Sequence, residues 1–261
     1  MVKRIFAVLS LTVCLAGCKG GSSDSSGPNI QAANSAGIFS DQVSDFVVRV
    51  YYESGADPYV GNLGTSSNAV WSLTKISFEN LFHHHVGRRV YTPVNLAQMI
   101  ALGAKGKSQW TRADLLTLME AQAPALFEAG SANLSVFFLK RTFADDPGAL
   151  VVHFPGDRAI FIFKDVIVGL GGDAITQRYI EQAAVVHGLG HAAGLVNNGL
   201  PMVSNHEDPS HPGHASDTAD VMHFSVGSAA GALAAQSQNV ATGALNLFGA
   251  ASLADAQAFH P

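Results

Sequence analysis

The spacing of apolar residues along the chain predicts several strands. Runs of β-branched and aromatic residues, or apolar residues in alternation, are typical of strands. Five such runs are present, at residues 46–52, 90–94, 134–141, 149–154 and 158–163. The last two flank Pro155-Gly156-Asp157, a turn sequence, so they are predicted to form a hairpin.

Other stretches carry apolar residues at the three- and four-residue spacing of helices. Residues 68–85 have Val70, Leu73 and Ile76 on one face. Thr111 with Asp114 three residues on is a capping-box signature, and Pro124 should end that helix. A long helix is predicted over 176–196 and a closing helix over 253–259, with a polar loop at 197–224 between them. Strands followed by a helix and an irregular C-terminal half predict an α+β domain.

The N-terminal segment has the pattern of an export signal. Lys3 and Arg4 precede an apolar run at 5–16 that is too short to span a bilayer, which takes about 20 residues. Leu15-Ala16-Gly17-Cys18 resembles the lipobox of bacterial lipoproteins. The resemblance implies a signal peptide at 1–17 and a lipid on Cys18. That lipid would anchor the protein to a membrane outside the cytoplasm, and Lys19 favours the outer membrane.

The composition of the chain predicts how it is divided into segments and which class of partner it does not bind. Residues 18–37 are rich in Gly, Ser, Ala and Asn, which predicts a flexible tether followed by one domain at 38–261. Cys14 and Cys18 are the only cysteines, so the domain has no disulfide. Without Lys3 and Arg4, thirteen basic residues face twenty acidic ones, a balance that gives no basic footprint for nucleic acid.

Histidines concentrate in one part of the chain. Six of the eleven lie between His187 and His223. His187 and His191 are four apart on a predicted helix, so their imidazoles share one face, with Cβ atoms about 6 Å apart. This is the spacing at which a helix gives two ligands to tetrahedral zinc, although such a pair alone is weak evidence.

The residues around this pair strengthen the zinc interpretation. His187-Gly188-Leu189-Gly190-His191-Ala192-Ala193-Gly194 resembles the metzincin signature H-E-x-x-H-x-x-G-x-x-H. Both histidines and Gly194 match, and in that family the glycine turns the chain sharply after the helix. Gly188 stands where the family has its catalytic glutamate, and Asn197 stands where it has the third histidine.

A later segment offers a third ligand. His214 to Met222 is similar to a stretch of bacterial and archaeal relatives in which a ligand histidine precedes a methionine turn. The resemblance implies that His214 is the third ligand and Met222 the methionine beneath the metal. The two cysteines that those relatives carry in this stretch are replaced here by Ala215 and Asp220. His206 and His211 remain open as alternative third ligands.

The resemblance to a bacterial lipoprotein metalloprotease group within the metzincins implies a fold and a partner. It implies a mixed, twisted sheet with an active-site helix, a histidine loop and a methionine turn. The strand at 158–163 would be the edge strand along which a peptide or protein substrate lies by β-augmentation.

Gly188 stands in a segment that resembles the family, but it cannot perform the role of the catalytic glutamate. In these enzymes zinc activates a water whose proton the glutamate takes, and such general base catalysis contributes about 10²–10⁴-fold. Three explanations are open: a zinc-binding pseudoenzyme, a slow peptidase using zinc hydroxide or a loop carboxylate such as Glu207 or Asp208, or a recent substitution in an active lineage. Two non-enzymatic alternatives are a surface binding protein with a structural zinc and a metal-free scaffold.

Overall fold

The structure is a computed structural model, and it describes residues 30–64, 67–85, 87–227 and 245–261. The predicted signal peptide, the predicted lipid site Cys18 and the first part of the predicted tether lie outside the described residues. Within the described ranges, no helix is both long enough and apolar enough to cross a membrane.

Helices and strands alternate along most of the chain. The helices are α1 (Ile30–Phe39), α2 (Ser72–Leu81), α3 (Arg112–Gln122), α4 (Lys164–Gly169), α5 (Ala174–Ala193) and α6 (Ala250–Ala258). The strands are β1 (Asp45–Tyr52), β2 (Arg89–Tyr91), β3 (Ile100–Ala101), β4 (Phe127–Glu128), β5 (Ser131–Leu139), β6 (Val151–His153) and β7 (Ala159–Phe163). All seven strand and helix regions predicted at 46–163 have a counterpart here, with ends that differ by a few residues.

One mixed sheet forms the centre of the described fold. Its order is β2-β1-β5-β7-β6, with β3 also paired to β1 and β4 to β5. The pairs that β1 makes with β2, β3 and β5 are parallel, as is the pair β5–β7. The prediction of a domain with mixed helices and strands is therefore confirmed. In the chain, α2 and α3 lie between the parallel strands β1 and β5, whereas β5 and β7 are joined through β6.

The predicted hairpin is confirmed, but the predicted edge strand is wrong. β6 and β7 pair antiparallel, with Val151 opposite Ile162 and His153 opposite Ile160. β7 also pairs with β5, so the strand predicted at 158–163 is internal. The edge of the sheet on this side is β6, because the hairpin folds back on the outer side of β7.

Part of the segment predicted as a tether is helical. The tether was predicted to continue to Gly37, yet residues from Ile30 onward form α1. Gln31 and Ser35 of this helix are buried against the end of α5. A segment rich in Ala and Asn can thus be helical when its small side chains allow close packing against a neighbour.

The sheet separates two apolar layers. Along β5, Leu134, Val136 and Phe138 pack in the larger core with α1, α2, α5 and α6. Phe137 and Leu139 point to the other side and pack with α3. This alternation follows from the two-residue period of a strand. It places α5 in the larger core, where its C-terminal half carries the histidine pair.

Candidate metal centre

Local signals at both ends define α5. Asp173 caps the first turn, because its carboxylate accepts a hydrogen bond of 2.7 Å from the Thr176 amide. Gly194 ends the helix in the left-handed region at φ 95°. A Cβ at this position would collide with the Ser35 hydroxyl, so glycine serves both the turn and the contact with α1. The predicted sharp turn at Gly194 is confirmed.

Three histidines converge beside the end of α5. Each of His187, His191 and His214 has a ring nitrogen within 4.8 Å of a ring nitrogen of the other two. The ring centroids of His187 and His191 are 4.6 Å apart, and those of His191 and His214 are 4.9 Å apart. His187 and His214 are buried and His191 is partly exposed. Of the three predicted candidates for the third position, His214 is the one that the fold brings to the pair.

Hydrogen bonds orient two of the imidazoles toward a common point. The Nδ1 of His187 donates to the Val221 carbonyl at 2.7 Å, and the Nδ1 of His214 faces the Pro212 carbonyl at 3.3 Å. A ring that carries its proton on Nδ1 presents the lone pair of Nε2. Carbonyl partners of this kind fix the tautomer of metal-ligating histidines.

The Nε2 atoms of the three histidines lie close together. Among the described residues they have too few hydrogen-bond partners. The Nε2 atoms of His187 and His191 are 3.0 Å apart, so they share at most one proton. The Nε2 of His214 is buried and has no partner in the described part of the chain. A buried nitrogen of this kind is costly unless something binds it. A metal ion between the three Nε2 atoms would satisfy all of them, so these residues fit a zinc site.

Burial keeps the three imidazoles neutral. The pKa of His187 is lowered to about 3, first by burial and then by the nearby His214. Burial also lowers the pKa of His191 well below its ordinary value, with further contributions from His187 and His214. The pKa of His214 is lowered mainly by burial. Neutral imidazoles are the form that binds metal, so protons compete weakly here at neutral pH.

The polar loop after α5 carries His214 back to the helix. Two isolated bridges hold its end, Glu207 with Ala215 and Ala215 with His223. The Glu207 carboxylate accepts a hydrogen bond from the Gly213 amide at 2.5 Å. Asn198 ties both ends of the loop, because its Nδ2 lies 3.0 Å from the Leu195 carbonyl and 3.1 Å from that of Gly213.

The alternative third ligands lie elsewhere and have other partners. The Nε2 of His206 is hydrogen-bonded at 2.7 Å to the buried carboxyl group of Asp255 in α6. His211 pairs with Asp208 at 2.8 Å and stacks on Phe224. Asn197 is exposed and bonds to Glu207. Because these side chains are engaged, they leave the third position to His214.

Gly188 lies against the β6–β7 hairpin. A Cβ at this position would lie 2.6 Å from Cγ2 of Val151 and 3.0 Å from Cδ1 of Ile160, closer than carbon atoms approach. The glycine therefore allows α5 and the hairpin to touch. A glutamate side chain could leave the helix here only if the hairpin moved.

No carboxylate belongs to the histidine cluster in the described part of the chain. The loop carboxylates Glu207 and Asp208 are held by Gly213 and His211. Glu181, two turns earlier on α5, is fully buried in an ion pair with Lys164. The amide of Tyr59 donates to the same carboxylate at 2.7 Å. None of these groups replaces the missing glutamate.

Met222 packs directly beneath α5. It is fully buried, and a Cβ at Gly190 would collide with its sulfur. The turn before it is held by Asp220, which accepts hydrogen bonds from the Met222 amide at 2.9 Å and the Ser252 hydroxyl at 2.6 Å. Asp220 occupies one of the positions where the related stretch has cysteine, so a buried carboxylate secures this turn here.

Sequence reasoning missed the residues that support the cluster from a distance. Asn198 and the α1 residues Gln31 and Ser35 contact the end of α5. No local pattern marks them, because their roles depend on contacts between distant segments. No protein-family model, curated protein or solved structure matches the chain.

Proposed function

We propose that this chain is a zinc-binding, metallopeptidase-like lipoprotein with weak or absent peptidase activity. The observation that carries the metal part is the convergence of three neutral Nε2 atoms, one of them buried without a partner. The resemblance of residues 187–194 to the metzincin signature supports the choice of zinc and of a peptide or protein as the binding partner.

The weak activity follows from Gly188 and its surroundings. A metal-bound water needs a proton acceptor to become an efficient nucleophile, and glycine supplies none. Val151 and Ile160 fill the space where a side chain would begin, so the hairpin is adapted to glycine. This packing favours an established loss of the glutamate over a recent exchange of one residue.

The packing of Val151 and Ile160 against Gly188 leaves no space for a catalytic side chain, so it is also compatible with a second candidate function. In that candidate, the chain is a surface protein that binds a partner, and zinc holds the histidine loop in place. A structural zinc site is closed by four protein ligands, whereas a catalytic site keeps one position for water. Three histidines in the described cluster leave room for water, which favours the first candidate.

Metal content and peptide cleavage test the proposal together. The purified domain is expected to hold about one equivalent of zinc and to cleave a mixed peptide library slowly or not at all. Purified protein without zinc, and with unchanged stability in His191→Ala, would favour the metal-free scaffold. Rapid, chelator-sensitive cleavage would refute the loss of catalysis while keeping the zinc site.

The carboxylate can be restored only together with space for it. Gly188→Glu in combination with Val151→Ala removes the closest contact of the new side chain. This pair is expected to gain peptidase activity over wild type. Val151→Ala alone is the matched control, since it opens the same space without adding a proton acceptor.

A further inference from the structure

His206, which the fold does not bring to the three-histidine cluster, joins the polar loop to α6. Its side chain is only 10% exposed, and its Nε2 lies 2.7 Å from a carboxyl oxygen of Asp255. The other ring nitrogen, Nδ1, is buried without a partner in the described part of the chain. A proton on Nδ1 would lack an acceptor, which is costly, so the ring carries its proton on Nε2 and donates to Asp255.

Asp255 holds the polar loop at two points. Its side chain is almost completely buried in α6. One carboxyl oxygen accepts a hydrogen bond of 2.7 Å from the Val203 amide, and the other accepts the hydrogen bond from His206. A buried carboxyl group needs such donors, because its oxygens have lost their contact with water. The part of the loop from Val203 to His206 is therefore attached to the C-terminal helix.

The backbone of His206 is joined in turn to the segment that carries His214. The His206 carbonyl accepts hydrogen bonds from the Ser216 amide at 2.8 Å and from the Ser216 hydroxyl at 3.0 Å. Two residues further on, the Asp208 amide donates to the His214 carbonyl at 2.7 Å. The two segments are thus held side by side, so a displacement of His206 would be passed on to His214.

The segment just before α6 supports a second clustered histidine. Leu247 donates its amide to the Ser77 hydroxyl of α2 at 3.0 Å, and its carbonyl accepts the Val221 amide at 3.0 Å. The carbonyl of Val221 is the one that accepts from Nδ1 of His187. The C-terminal region therefore contacts both ends of the chain segment that surrounds His214, and it is itself fixed on α2.

We infer that His206 positions the ligand His214 by tying the polar loop to Asp255 of α6. The inference rests on the proposed zinc site, and it goes further because it assigns part of the metal affinity to a helix that contains no histidine. His206 is a positioning residue, since its side chain contacts Asp255 rather than the cluster. A loop that is already held in place loses less conformational freedom when the metal binds, so the metal binds more tightly.

Zinc affinity, measured by competition with a chromophoric chelator, tests this tie. His206→Ala removes the donor to Asp255 and is expected to weaken zinc binding by about tenfold, within the range for residues that support metal ligands. His206→Gln can place its amide nitrogen near the position of Nε2, so it should restore most of the affinity. Ala254→Gly is the matched control, because it weakens α6 at an exposed position and keeps the contacts of Asp255. Its zinc affinity should equal that of the wild type.

A double variant separates positioning from a general loss of stability. Asp255→Asn keeps an acceptor for the Val203 amide but changes the partner of His206. If His206 and Asp255 act through one hydrogen bond, His206→Ala combined with Asp255→Asn should bind zinc no more weakly than the weaker single variant. All affinities are measured well below the unfolding temperatures of the metal-free variants, so a lower Tm alone does not change them.

The outcomes distinguish this inference from the proposed function. Wild-type zinc affinity in His206→Ala, an equal loss in Ala254→Gly, or a multiplied loss in the double variant would overturn the role of His206 and leave the zinc site intact. A wild-type protein that binds no zinc would overturn the proposed function and this inference together. If His206→Ala does not fold, Asp255→Asn decides in the same assay, and an unchanged affinity in that variant overturns the inference.

Discussion

His187 and Gly188 are neighbours on α5 that face different parts of the molecule. His187 turns toward the loop, where Val221 orients its ring and His214 approaches it. Gly188, about 100° further around the helix, faces the hairpin and touches Val151. His187 has the ring orientation that a metal ligand needs, whereas Gly188 leaves the space that the hairpin fills.

The two positions therefore depend on separate contacts, one with the loop and the other with the hairpin. The three imidazoles are oriented mainly by contacts with the loop, such as those of His187 with Val221 and of His214 with Pro212. Each prediction below changes one side of α5 and asks whether the other responds.

The largest effect is expected from removing a ligand. His214→Ala leaves two histidines and a buried gap, so zinc affinity should fall by more than the ~10–100-fold that loss of a supporting residue costs. Metal analysis after dialysis against a weak chelator measures this. His84→Ala, which changes an exposed histidine on a distant helix end, should retain the metal. Full zinc content in His214→Ala would assign the third position to another residue.

A side chain at Gly188 is expected to affect folding more than metal binding. Gly188→Ala and Gly188→Glu both place a Cβ against Val151, and overpacking of this kind costs about 1–3 kcal/mol. Alanine would otherwise stabilise a helix by ~1 kcal/mol relative to glycine. Thermal unfolding should therefore show a lower Tm for both variants, with partial recovery when Val151→Ala is added. A raised Tm in Gly188→Ala would mean that the hairpin yields easily.

Acid should destabilise the metal-free protein through His187. Its pKa is about 3 in the folded protein, well below the ordinary value of 6.5. Between these values the unfolded chain takes up a proton that the folded chain refuses, so stability falls as the pH decreases from 6.5. One such group gives a slope of about 1.4 kcal/mol per pH unit. Urea unfolding in the presence of a chelator measures the slope, which His187→Asn should reduce.

A smaller effect is expected from the support of the loop. Asn198 contacts the carbonyls of Leu195 and Gly213 and lies 3.2 Å from Nδ1 of His191. Asn198→Ala should weaken zinc binding by about tenfold, the lower end for a supporting residue. Asn197→Gly is the matched control, because Asn197 is exposed and has a left-handed φ of 60° that suits glycine. Equal zinc affinities in the two variants would show that Asn198 does not position the ligands.

The sequence predicted those features that depend on short-range patterns. The helical spacing of His187 and His191 and the left-handed glycine at 194 are local, and the structure has both. Pro155-Gly156-Asp157 likewise marks the turn between β6 and β7. His214 was the favoured third ligand because of its similarity to related stretches, while its distance from the pair in sequence kept His206 and His211 open.

Features that depend on tertiary contacts were not predictable in this way. The position of β7 inside the sheet depends on its second partner, β5, which no local pattern reveals. The contact of Gly188 with Val151 joins residues far apart in the chain, so glycine could be read only as a lost glutamate. The buried pair of Lys164 and Glu181 is similarly hidden, because each looks like an ordinary surface charge.

The attachment of α1 has a mechanical consequence. Gln31 donates to the carbonyls of His191 and Ala192 and accepts from the hairpin turn at Gly156. A pull on the N-terminal end of the described chain would therefore load the last turn of α5 and the hairpin before it reached the sheet. Force applied to the N-terminal end would therefore reach the turn that carries His191 first. It could distort the candidate metal centre while the rest of the described fold remained intact.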